Sequence, residues 1–127
     1  MSHTATESKE LVAFLQDHAG DLLRSVLYYD VDSCELLYIR DDVADAYDEQ
    51  ERADVRRDMR LEAIEKSHQE DLYTHGALNC TIRCFEDAIE MHFTHGEMCG
   101  TAVALDGEAF AVQNTFVGSC LDIMKGE

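Results

Sequence analysis

The chain predicts a single α+β domain, an α/β/α sandwich with the element order α-β-β-α-β-β-β-α around a five-stranded antiparallel sheet. Three observations predict it. Apolar residues recur with a helical period near both ends and through a long middle segment free of Gly and Pro. Between these segments, runs with two-residue alternation come first as a pair and then as a triplet. Short turn-forming stretches separate the members of each group, which favours antiparallel hairpins, and the middle helix can cross the sheet to join the groups.

The first helix is expected in "TESKELVAFLQDHAG", where Leu11, Phe14, Leu15 and His18 fall at i, i+3, i+4 and i+7. Thr4 and Glu7 have capping-box spacing, and Gly20 supplies a stop. The domain spans 1–127, with 1–6 read as a flexible lead. Runs 22–31 and 35–40 then read as a β-hairpin about the turn signal "VDSC".

From Asp48 to about Leu72 the chain is rich in Glu, Arg and Ala and reads as helix. Its apolar residues form two stripes. Val55, Met59 and Ala63 lie together, while Leu61, Ile64, His68 and Leu72 lie nearly opposite. One stripe is expected to meet the sheet and the other a partner, unless a break near Leu61 divides the segment into two shorter helices. Val55, Met59 and Ala63 are assigned to the partner surface. Arg52, Arg56 and Arg60 recur at helical spacing and are expected to pair with acids one turn away.

Three further strands follow, over 78–85, 88–95 and 100–106. In the first, Leu78, Cys80, Ile82 and Cys84 share an apolar face; in the second, Ile89, Met91 and Phe93 oppose Glu90, His92 and Thr94. "FEDA" and "HGEMCG" are the turns. "DGEAFAVQNTFVGSCLDIMKGE" closes the chain as a helix, with Val117, Cys120, Leu121 and Met124 on one stripe.

Charge is the most informative part of the composition. Twenty-seven acidic side chains oppose ten basic ones, a formal charge of −17, and only three of the ten are lysines. The acids are dispersed, so the whole surface repels itself in dilute buffer. In molar salt the Debye length falls to about 3 Å and most of that repulsion is screened. In this the chain resembles proteins of halophilic archaea, whose surfaces are acidic and poor in lysine; an acidic protein that binds a basic partner is the alternative. "MSHTATESKE" lacks the basic and apolar regions of a signal peptide, and no apolar run approaches the roughly 20 residues of a membrane span. A cytoplasmic protein with five free thiols is expected.

No sequence pattern points to catalysis, and the domain is read as non-enzymatic, without cofactor or metal. Phosphate loops, nucleophile elbows, HExxH and EF-hand patterns are missing. Cys80 and Cys84, four apart on a strand, would lie roughly 13 Å apart, too far for a disulfide, and are read as core residues. His92, His95 and Cys99 form the best zinc candidate, but His92 and His95 have opposite parity on a strand, so solvent-facing histidines at a strand end are expected. His68 reads as a core or interface histidine. Asp41, Asp42, Glu49 and Glu51 read as surface acids. Interleaved acids argue against nucleic acid as a partner of the arginine-bearing helix.

The element order and lengths over nearly the entire chain resemble the roadblock/LC7 family and, more loosely, profilin-type and PAS/GAF-type sensory domains. The stretch "RLEAIEKSHQEDLYTHGALNCTIRCFEDAIEMHF" is also similar to small haloarchaeal proteins of unknown function. The roadblock resemblance implies a homodimer that acts as a scaffold or regulator and associates with small Ras-like GTPases. The PAS/GAF resemblance implies instead a small ligand held between sheet and helix, for which Tyr28, Tyr38, Thr81 and Arg83 are the candidate polar groups.

Overall fold

The computed structural model describes residues 2–95, 99–109 and 115–126. Helix α1 (Ser2–Ala19) passes through a 3-10 turn into β1 (Leu23–Tyr29) and β2 (Cys34–Ile39). A short helix α2 (Asp41–Ala46) and the long α3 (Glu49–Leu72) lead to β3 (Thr81–Cys84), β4 (Ala88–Thr94) and β5 (Gly100–Asp106), and α4 (Thr115–Met124) follows. The strands form one five-stranded sheet in the order β2-β1-β5-β4-β3, antiparallel at every pairing. The mixed α+β class and the five-stranded antiparallel sheet are therefore as expected.

This order explains the length of α3. The chain leaves the sheet at one edge, β2, and must re-enter at the other, β3, four strand spacings or about 19 Å away. A 24-residue helix, about 36 Å long, makes that crossing and remains unbroken at Leu61. It opens with Asp48 as N-cap: the Asp48 carboxylate accepts from the Glu51 amide at 2.7 Å, and the Glu51 carboxylate accepts from the Asp48 amide at 3.0 Å. The β1–β2 turn is closed by the Asp30 carboxylate, which accepts from the amides of Asp32 and Ser33 and from the Ser33 hydroxyl.

The strand pairings assign residues to the two faces. On one face, Leu23, Val26, Val103 and Leu15 of α1 form the buried core, with Leu11, Val12, Leu37, Met91, Phe93 and Leu105 packed against it. On the other, Leu27 stands beside Ala102 and Ala102 beside His92, and α3 lies over this row. Arg40 clamps the sheet at one end. Its guanidinium donates to Asp106 and Asp42, and Arg24 donates to the same Asp106 carboxylate.

Several local expectations are corrected. The α1 backbone is already helical at Ser2, so Thr4 lies inside the helix and is not its N-cap. Leu11 and Leu15 face the sheet, whereas Phe14 is exposed and stacks on His18. Strand β3 is four residues long, half of what the alternation suggests. The Leu78 amide donates to Glu70, itself paired with Lys66, and this draws the preceding chain toward α3 instead of along β4. Consequently Ile82 and Cys84 are exposed on an edge strand and are not core. On α4, Cys120, Leu121 and Met124 are exposed rather than packed. Residues 110–114 of the segment expected as helix lie outside the described residues.

Candidate functional site

The face beneath α3 follows from one strand. In "GTAVALD", β5 sends Thr101, Val103 and Leu105 toward α1 and Gly100, Ala102 and Ala104 toward α3. Large side chains fill the first side. Small ones leave space on the second, and polar groups occupy it.

Around Gly100 that space holds a buried hydrogen-bonded chain. The Tyr29 hydroxyl lies 2.6 Å from His92 Nε2, and His92 Nδ1 lies 2.7 Å from Glu62 Oε1. The other Glu62 oxygen is paired with Arg83, which also donates to Asp58 at 2.9 Å. The Glu62 carboxylate fixes the tautomer: Nδ1–H donates to it, leaving Nε2 to accept from the Tyr29 hydroxyl. The Met59 carbonyl oxygen, 3.2 Å from that hydroxyl, is a second acceptor within its reach. A Cβ at position 100 would sit 2.7 Å from the Tyr29 hydroxyl and 3.0 Å from His92 Nε2, so glycine is required for this bond.

Burial sets the electrostatics. It pushes the His92 imidazolium down to about 4, and Arg83 pushes the same way while Asp58 opposes. The ring is therefore neutral near pH 7. Burial, with the nearby Cys99, raises Tyr29 far above the ordinary phenol range. The arrangement can pass a proton along a line but presents no nucleophile to solvent, since Tyr29 is 1% exposed.

Toward β2, α3 and the sheet enclose a cleft of about 240 Å³. Leu27, Leu36, Ala102 and Ala104 line it from the sheet, Val43 from α2, and Arg52, Val55, Arg56 and Met59 from α3; Glu90 lies at its β4 side. Burial raises the Glu90 carboxyl, against the pull of Arg24 and Arg83. Arg52 donates to the Ala44 carbonyl at 2.8 Å, yet its Nε is buried and without a partner. The Nε of Arg60 is in the same condition. Arg56 has no acceptor of its own among the described residues, but its charge is felt at Cys34, whose thiol burial raises and Arg56 and Arg60 lower.

The residues expected to be functional are redistributed. Val55, Met59 and Ala63 were assigned to a partner surface, but they form the sheet-facing stripe. Ala63 is 2% exposed, and Met59 supplies its carbonyl to Tyr29. The outward stripe is the other one, with Leu61 and Ile64 each 54% and Leu72 61% exposed, and His68 is exposed beside them. The arginines expected to pair with acids along α3 instead turn toward the sheet and the β1–β2 turn.

His92, His95 and Cys99 do not converge. His92 is buried under α3, not solvent-facing, whereas His95 bonds Thr101 and Cys99 lies by Tyr28 on the α1 face. Among the described residues no group of three or more His, Cys, Asp or Glu could hold a metal ion. Tyr28 and Tyr38 lie on the α1 side; Thr81 and Arg83 line the groove beside the buried chain. Asp42 and Glu51 are taken up by Arg40 and by the α3 cap.

Sequence reasoning missed Tyr29, Glu62, Gly100 and the cleft. The small–large alternation of β5 was the available signal for Gly100 and the cleft.

Among the described residues no helix is long and apolar enough to cross a membrane. No curated protein and no solved structure matches the chain. Residues 9–125 match the family model described as "Domain of unknown function (DUF7522)", and the chain belongs to that family.

Proposed function

We propose that this protein is a non-enzymatic regulatory module of roadblock-like build that forms a homodimer through the outward face of α3 and docks a second regulatory protein, a small Ras-like GTPase being the partner the resemblance implies. One observation carries this reading: Leu61, Ile64 and Leu72 stand exposed along the outer side of a 24-residue helix. The α-β-β-α-β-β-β-α succession, with the 3-10 turn and the short α2 added among the described residues, supports the same build. The acidic, lysine-poor surface supports a protein adapted to a high-salt cytoplasm. Each protomer carries −17, so self-association strengthens as salt screens the repulsion.

Light scattering in molar salt tests the dimer. Twice the chain mass is expected for the wild type, and the chain mass alone for Leu61→Glu combined with Ile64→Glu, with unfolding free energy within about 0.5 kcal/mol of the wild-type monomer. A wild type that stays monomeric at every salt concentration rejects the proposal.

A second reading, a PAS/GAF-like sensory domain binding a small ligand, is favoured by the cleft between α3 and the sheet. A rise in melting temperature with a compound that occupies this cleft supports it.

A further inference from the structure

We propose that the cleft binds a small organic monocarboxylate, its carboxylate held by Arg56 and Arg52 and its apolar body laid over Leu27, Ala102 and Ala104. This rests on the ligand-binding reading above and names the ligand class. The first ground is the fate of the seven arginines. Arg24, Arg40 and Arg83 are paired with carboxylates. Arg52, Arg56, Arg57 and Arg60 have no carboxylate partner among the described residues, although the chain carries 27 acids, and of these four Arg52 and Arg56, one turn apart on the sheet-facing side of α3, line the cleft. Arg52 and Arg56 stand about 6 Å apart along the helix backbone and line one cleft, so their positive charges repel each other where water is partly excluded. A carboxylate between them answers the repulsion and matches the planar guanidinium fork.

The second ground is the shape and lining of the cleft. Its 240 Å³ equals the liquid share of about eight water molecules, and its floor is apolar, which suits a short hydrocarbon or ring better than a second polar group. Glu90 stands at the opposite side and opposes a second negative charge there. Arg24 also lines the cleft but is paired with Asp106, which leaves Arg52 and Arg56 as the uncommitted cations and suits a single acidic head directed at α3.

Titration calorimetry at the lowest salt that keeps the protein folded tests the inference, using butanoate, hexanoate and phenylacetate, their primary amides, and inorganic phosphate. The acids are expected to bind at least about tenfold more tightly than the amides, and Arg56→Gln should reduce the acids to the affinity of the amides. The methyl resonances of Ala102 and Ala104 should shift on binding. Equal affinity for acids and amides overturns the role of the arginines while leaving a ligand-binding cleft. Phosphate binding as tightly as the best acid overturns the ligand class. Shifts confined to methyls outside the cleft overturn its location, and absence of binding by every compound overturns both this inference and the ligand-binding reading.

Discussion

Strand β5 shows α1 the side chains Thr101, Val103 and Leu105, and shows α3 Gly100, Ala102 and Ala104. These six residues of one strand thus build two unlike faces. Beneath α1 the sheet is closed by aliphatic contact, with Leu23, Val26 and Val103 fully buried. Beneath α3 it is bridged by a tyrosine, a histidine and a glutamate at one end and left open at the other. The aliphatic face stabilises the domain by removing apolar surface from water, a contribution that does not depend on the precise placement of atoms. The polar face depends on placement, because a buried donor or acceptor that loses its partner costs its full desolvation.

The largest effect expected from this contrast is in the aliphatic core. Leu23→Ala should cost about 2–5 kcal/mol, whereas Leu27→Ala, which enlarges a space already open, should cost less than about 2 kcal/mol. Urea unfolding in molar salt measures both, and equal losses would mean that the α3 face is as tightly packed as the other.

Acid probes the polar face. His92 titrates near 6.5 when unfolded and near 4 when folded, so the unfolded chain binds the additional proton between these values. The stabilisation is therefore complete above pH 6.5 and is lost as the pH falls to 4, by roughly 3 kcal/mol. In His92→Gln the difference in unfolding free energy between pH 7 and pH 4.5 should be smaller than in the wild type; an unchanged difference would assign the acid sensitivity to other groups.

A smaller effect is expected at Gly100. Gly100→Ala should cost about 1–3 kcal/mol, because the added methyl meets the Tyr29 hydroxyl and the Phe93 carbonyl. Combined with Tyr29→Phe, which removes the hydroxyl, the loss should be less than the sum of the single losses. Strict additivity would separate the two positions.

Elements with strong local signals were legible in the sequence. The span 100–106 coincides with β5, and Ile89, Met91 and Phe93 share a face as the alternation requires; the latter two pack against the α1-side core. The crossing helix was legible because nothing within it breaks a helix and Asp48 caps it. Its rotation was not. Periodicity gave two stripes, and the choice between them was made by the room above Ala102, a property of a strand some forty residues away in sequence. Strand β3 was overestimated because alternation cannot register that Glu70 takes the Leu78 amide. The buried chain was hidden for the same reason: Tyr29, Glu62 and His92 lie on three elements, and each is unremarkable alone.

The close approach at Gly100 also has a hereditary meaning. A side chain at this position meets the phenol at 29, the imidazole at 92 and the backbone carbonyl of Phe93, so loss of one ring relieves only part of the crowding. Positions 29, 92 and 100 are therefore expected to change together among relatives, and comparison of their sequences at these three positions checks it.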